Sequence, residues 1–379
     1  MVINIYSDNV APYRIQWAEE LAKAGNDVTF AYTKAKDIER NDNWLVEESN
    51  SVKLQKLPAR IIKNHAITFN VIRHIKKNQP DIIIFDGYGV IPNFLAILYM
   101  NAKHRPYYIN FDGITMKQTD NKLRKFLKKP AFSRYANFFC GSELTKRYII
   151  SMGVDADKVT VHNFSSIHEK DIIPAPLTKA EKSEMRRKLG LEDRPTVIAV
   201  GRFIKLKRFE LLIEIFAGKH YDYNLLIIGE GELREKYEKI IGQYALTNVK
   251  IINFMPYNLL VDYYKASDLH AFPSESETWG LVVNEAMCFG LPCITTKYCV
   301  AGEAMIKNGV NGFVVDESIE ALAEKIDCIM ENEELRGSMA VEALKTAHNY
   351  TIENMAEVHL EKLNYMYNQG GFAGDRENS

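Results

Sequence analysis

The chain has 379 residues, a formal net charge of −1 and 46% apolar side chains. That is too long for one core, and it lacks the basic excess of a dedicated nucleic-acid binder, so two ordinary globular domains and no nucleic-acid partner are expected. Five cysteines, an odd number without C-x-x-C spacing, fit a reduced cytosolic chain rather than a disulfide or metal framework.

The first segment, VINIYS, is a strand, with no signal-peptide pattern before it. A helix over about 15–24 and the strand DVTFAY follow. DIIIFD, PYYINFD, NFFCG and VTVHN then alternate with helical or loop segments. The longest apolar run, VIPNFLAILYM, is too short and too interrupted to span a bilayer. Short continuous apolar strands alternating with helices predict a parallel sheet covered on both faces. The pattern breaks at DIIPAPLT, and the charged helix KAEKSEMRRKLGL follows. A second α/β series starts at TVIAVG and runs through NLLIIG, VKIINF, DLHAFP, LPCITT and NGFVV to a group of helices.

The predicted organisation is a first Rossmann-like domain over 1–173, a linker over 174–192 and a second Rossmann-like domain over 193–350. A final helix over 351–368 and a disordered tail over 369–379 complete it. In open α/β sheets ligands collect at the carboxyl ends of the strands, so each domain offers such an edge.

SESETWGLVVNEAMCFGLPCITT carries two carboxylates in E-x7-E spacing. Glu277 falls in the loop after a strand. Glu285 falls inside the next helix among Leu281, Val282, Ala286 and Met287. A carboxylate on a mostly apolar helix is costly unless something donates to it, and the two adjacent hydroxyls of a ribose would do so. Spacing alone is also consistent with an ordinary helix glutamate.

This stretch resembles the signature of the group 1 retaining glycosyltransferases, the glycogen-synthase-like class with the GT-B fold, in which two Rossmann-like domains face across a cleft. The resemblance extends over nearly the whole chain. It implies that Glu285 holds the ribose of a nucleoside-diphosphate sugar and that Glu277 lies beside the transferred sugar. Thr278, Trp279, Gly280 and Leu281 would line the donor. In TVIAVGRFIKLKRFELLIE, Gly201, Arg202 and Lys207 match the family's diphosphate loop, with Arg as a planar fork and Lys as a point charge. The family usually has glycine where Arg208 stands. Gly229 and Gly231 fall in the loop that lines the nucleotide pocket, and Met255 resembles the position whose backbone reads the base. Glu303 reads equally as a family glutamate and as a helix-start residue.

The first domain would bind the acceptor, a glycan or a lipid-linked glycan. In YSDNVAPYRIQW the family's loop glycines are missing, leaving Asn9 and Arg14 as polar groups on the acceptor or cleft side. Asp112 stands near where the family often has histidine, and it reads either as a ligand for hydroxyls or as a turn former. Lys122, Arg124, Lys125, Lys128 and Lys129, interleaved with Leu123, Phe126 and Leu127, read either as contact with an anionic membrane surface or as a solvated helix face. Asp155-Ala156-Asp157 reads as a turn, and no metal cofactor is expected.

The resulting expectation is a metal-independent hexosyltransferase of polysaccharide or glycoconjugate biosynthesis. It would be cytoplasmic, resting on the inner face of the membrane. A silent sugar-nucleotide-binding subunit and a GT-B-type sugar-nucleotide epimerase are the alternatives.

Overall fold

A computed structural model describes residues 1–34, 48–63, 65–114 and 122–369. It divides into two compact units. One comprises the described residues of Met1–Gly113, Thr119–Ser166 and Thr351–Ser379, the other those of Ile114–Gln118 and Ile167–Tyr350.

The first unit holds β1 (Val2–Ser7), β2 (Asp27–Tyr32), β3 (Lys53–Lys56), a hairpin of β4 (Arg60–Ile62) and β5 (His65–Ile67), β6 (Ile82–Asp86), β7 (Tyr107–Phe111), β8 (Ala136–Cys140) and β9 (Val159–Val161). Apart from the hairpin, these strands form one sheet in the order β3-β2-β1-β6-β7-β8-β9, every pairing parallel. Parallel neighbours need crossovers. Helices α1 (Pro12–Lys23), α2 (Asn70–Asn78), α3 (Ile91–Ala102), α4 (Lys122–Lys128) and α5 (Glu143–Ser151) lie in those connections. The central strands β6 and β8 are buried at every position, which is why they read as unbroken apolar runs.

The second unit holds α6 (Lys179–Lys188), β10 (Thr196–Val200), α7 (Glu210–Lys219), β11 (Asn224–Ile228), α8 (Arg234–Gln243), β12 (Val249–Ile252), α9 (Tyr257–Lys265), β13 (Leu269–Phe272), α10 (Leu281–Met287), β14 (Cys293–Thr296), α11 (Val300–Met305), β15 (Gly312–Val315), α12 (Ile319–Met330) and α13 (Glu333–Asn349). Its sheet is parallel throughout, in the order β12-β11-β10-β13-β14-β15. Among the described residues, then, both units are Rossmann-like parallel α/β sheets. A last helix, α14 (Ile352–Asn368), belongs to the first unit. It packs on α1 and buries His359, whose ring lies 3.9 Å from that of Phe139 and 4.8 Å from that of Trp17.

Residues 174–192, expected as the inter-domain linker with a charged helix, fold into the second unit. Thr178 and Glu181 form a capping box at the start of α6. Arg186, 6% exposed, reaches Asp268 at 2.5 Å, and Lys182 reaches the same carboxylate at 3.0 Å. Asp268 also accepts from the Thr196 amide at 2.8 Å. One buried carboxylate therefore ties α6 to the starts of β10 and β13, and the segment belongs to the second unit. The expected tail beyond residue 369 lies outside the described residues. Among those described, no helix is long and apolar enough to cross a membrane.

Candidate active site

In the second sheet β10 and β13 are neighbours, while the chain continues outward from them in opposite directions. Crossovers leaving on opposite sides open a crevice at the carboxyl ends of such a pair. The loops after β10 and after β13 carry the residues that the sequence singled out.

The loop after β10 is fastened to the loop after β11 by backbone. Gly201 N–H donates to Ile228 at 3.0 Å, Phe203 N–H to Glu230 at 2.6 Å, and Leu233 N–H to Phe203 at 3.0 Å. A side chain on Gly229 would overlap the Gly201 carbonyl, and one on Gly231 would come within 2.6 Å of the Phe203 carbonyl. These two glycines let backbone touch backbone, a packing duty beside the place in a nucleotide-lining loop expected of them. Arg208 takes the left-handed conformation, φ +53°, that the family's glycine would adopt freely. The loop thus keeps its path despite the substitution.

The next turn brings Lys207 and Glu277 together as an ion pair, their side chains 11% and 21% exposed. Two bonds to one carbonyl hold the frame. Ser274 Oγ and Glu275 N–H donate to Leu206 at 3.0 and 2.8 Å. Glu277 N–H donates to Tyr298 at 3.1 Å, which aligns the loop beside the end of β14. The Lys207 ammonium also lies 5.0 Å above the Phe272 ring. Arg202, in the same loop, is exposed, as is Thr278.

Trp279 departs from its expected place at the donor. Its ring is 3% exposed, and Nε1 donates to Asn284 Oδ1 at 2.8 Å. The indole is committed to the core because a buried N–H needs an acceptor, and Asn284 supplies it. Gly280 is buried at the cap of α10, and Leu281 is half-buried at its first position.

Glu285 is partly exposed on α10, and protein packs closely around its carboxyl. Burial pushes that carboxyl up to about 7, while a hydrogen bond from Tyr264 pulls the other way. Tyr264 OH donates to Glu285 Oε2 at 2.9 Å. The sequence asked what donates to this carboxylate, and half of the answer is protein. Tyr264 was missed because a tyrosine within a helix reads as core. Met255 is half-buried in the loop before α9, and Glu303 is exposed on α11.

In the first unit β1 and β6 are the switch-point neighbours. Arg14 NH2 bonds Asp112 Oδ2 at 2.7 Å, and Arg14 NH1 pairs with Asp86. Ser7 Oγ donates to the other Asp86 oxygen at 2.6 Å. Arg14 is therefore neutralised by two carboxylates and is poorly suited to a further anion. Asp86 was not singled out, although it closes the run DIIIFD. Asn9 is partly exposed in the loop between β1 and α1. Beside this cluster a cavity no larger than a water-sized group is lined by Trp17, Asn110, Asp112, His162 and His359. Both His162 ring nitrogens and Trp17 Nε1 are buried there without a partner among the described residues.

Of the basic patch, Lys122 and Arg124 fall on α4, with side chains outside the described residues. Lys125 and Lys129 are exposed and Lys128 is half-buried. Phe126 is 71% and Leu127 60% exposed. Asp155 caps a 3-10 turn over Ala156–Lys158.

Two protein families match the chain. The family described as glycosyl transferases group 1 covers residues 181–346, and glycosyltransferase family 4 covers residues 11–163. An uncharacterised glycosyltransferase of Haemophilus influenzae is 28% identical over 90% of this chain and 92% of its own length. The capsular polysaccharide biosynthesis glycosyltransferase CapM of Staphylococcus aureus is 28% identical over 79% of this chain and 85% of its own. Among solved structures, HepE of Anabaena in complex with UDP superposes with a TM-score of 0.77 at 17% identity, covering 96% of this chain and all of HepE. Its likeness is one of fold, GT-B.

Proposed function

The chain belongs to the group 1 glycosyltransferases, and from that premise we propose that it moves a hexosyl group from a nucleoside-diphosphate sugar to a glycan or lipid-linked glycan, with retention of anomeric configuration. CapM, a relative, acts in capsular polysaccharide biosynthesis. A role in building a polysaccharide or glycoconjugate follows for this chain.

The observation that carries the reading is the Lys207–Glu277 pair at the switch point of the second unit, with Glu285 eight positions on in the same segment. In the reaction the anomeric carbon–phosphate oxygen bond breaks and the bond to the acceptor oxygen forms on the same face. The acceptor proton passes to the departing phosphate oxygen. Arg202 and Lys207 stabilise charge growing on that diphosphate, the main electrostatic demand of the step. Glu277 positions the sugar and orients Lys207, and Glu285 takes the ribose. No resident metal has a part in this scheme. In the first unit Asp112 and Asn9 meet acceptor hydroxyls, and Arg14 orients Asp112.

The same reading puts the enzyme in the cytoplasm, resting on the inner membrane face. Two highly exposed apolar side chains, Phe126 and Leu127, stand among Lys125, Lys128 and Lys129. In the same unit the β4–β5 hairpin exposes Ile61, Ile62 and Ile67 beside Arg60 and Lys63. Apolar side chains ringed by cations match an anionic lipid surface.

A thermal-shift panel of UDP-, GDP-, dTDP- and ADP-sugars, followed by NMR of the product's anomeric proton, tests the proposal. One donor class should raise the melting temperature, and its sugar should appear in the product with the donor's configuration. No shift with any donor, or an inverted product, would overturn it.

A further inference from the structure

Helix α9 carries two tyrosines on the face that meets Glu285. Tyr257 and Tyr264 are seven positions apart, two helical turns, and so lie on one face. Tyr264 is fully buried, its ring stacked on Phe289 at 5.6 Å and an interplanar angle of 8°. Its rotamer is thereby fixed, and its hydroxyl meets Glu285 Oε2 at 2.9 Å. The second carboxylate oxygen accepts nothing from the described residues.

Tyr257, at the first position of α9, differs. Its hydroxyl is buried and has no partner among the described residues. Burial first, then the charges of Cys288, Glu285 and Asp171, push its ionisation far up, so it keeps its proton. Tyr257 lies on the same face of α9 as Tyr264, the face that meets Glu285. A buried donor left unpaired is costly, and packing alone would be served as well by phenylalanine.

We propose that Tyr257 is a further donor-binding residue, its hydroxyl completing a diol subsite with Glu285, and that Tyr264 is the positioning residue that fixes the carboxylate for it. The inference rests on reading Glu285 as the ribose ligand. One sugar hydroxyl donates to the free oxygen of Glu285, and its neighbour accepts from the Tyr257 phenol. Carboxylate and phenol together match vicinal hydroxyls and disfavour a phosphate, which the carboxylate repels.

Isothermal titration with UDP, GDP and ADP, each beside its 2′-deoxy and 3′-deoxy counterparts, tests this from pH 5.5 to 9 on wild type, Y257F, Y264F and E285Q. In wild type, affinity should fall as the pH drops through about 7, where Glu285 takes up a proton. The other ionisable groups around that carboxyl are Tyr257, Tyr264 and Cys288, all pushed up by burial and still protonated across the window, with the Asp171 charge beside Tyr257 and Cys288. Y264F should weaken binding by about 3- to 10-fold and move the midpoint upward, because the lost bond favoured the carboxylate. Y257F, at a partly exposed helix start, should weaken the ribonucleotide by about 3- to 10-fold and leave one deoxy counterpart unaffected. Equal losses for ribo- and both deoxy-nucleotides in Y257F, or an unmoved midpoint in a folded Y264F, would overturn the inference. If E285Q binds as tightly as wild type, the ribose reading itself fails and the inference with it. If E285Q weakens binding while the tyrosine variants do not, the inference alone fails.

Discussion

Lys207 and Glu277, separated by 70 positions in the chain, meet as an ion pair beneath which the Phe272 ring lies 5.0 Å from the ammonium. The pair converts two separate sequence signals into one arrangement. A cation and a carboxylate are held together at the carboxyl ends of β10 and β13, and on the proposed reading the cation meets charge growing on a leaving diphosphate.

Lys207→Ala should lower kcat by about 10²- to 10³-fold, the cost of removing one preorganised charge. It also strands a partly buried carboxylate, so urea denaturation should show it less stable than Lys207→Ala/Glu277→Ala. Arg202→Ala should likewise act mainly on kcat, with little effect on stability. A Lys207→Ala enzyme with kcat unchanged would remove the pair from the mechanism.

Glu285 has the opposite pH signature from a typical carboxylate. Burial moves it from an ordinary 4.5 to about 7. Between those values the native state holds a proton that the unfolded chain has lost, so stability falls as pH rises through that window and levels off above it. The loss is at most about 3 kcal/mol. Urea unfolding from pH 4 to 8.5 should show this slope in wild type and not in Glu285→Gln. Glu285→Ala should raise the donor KM more than it lowers kcat.

Parallel strands buried on both faces announce themselves as apolar runs, which is why DIIIFD and NLLIIG were legible as strands. E-x7-E and G-R-x4-K offered candidate site residues because each pattern is local in sequence. What was hidden is non-local. Arg14 and Asp112 lie 98 positions apart, and the Tyr264–Glu285 bond joins two helices. The helix α6 looked like a linker because its anchor, Asp268, comes 82 positions after Arg186. Gly229 and Gly231 read as part of a nucleotide-lining loop, and the structure gives them a backbone-packing duty as well, because close backbone packing and close ligand approach ask for the same residue. Trp279 looked like a donor contact because its motif places it there, while its indole N–H follows Asn284 inward.

Asp86, its side chain 4% exposed, depends on Arg14 for charge balance. Arg14→Ala should destabilise the protein by about 3–5 kcal/mol, and Arg14→Ala/Asp86→Asn should recover part of that. Both are checked by urea unfolding. Nucleotide affinity, read by calorimetry, should be unchanged, because the proposed donor residues lie in the other unit.

Sedimentation with anionic vesicles should pellet the protein, and the pelleted fraction should fall with salt. Lys125→Glu/Lys128→Glu should abolish it. Phe126→Ala should weaken it without lowering the melting temperature, since that side chain is 71% exposed. Pelleting that persists in the charge-reversed variant would assign the patch to solubility alone.

The most direct measurement is a crystal structure with the sugar nucleotide that stabilises the protein. The account predicts ribose hydroxyls about 3 Å from the Glu285 carboxylate and the diphosphate against Arg202 and Lys207. A nucleotide bound elsewhere, with Glu285 touching only Tyr264 and solvent, would contradict it.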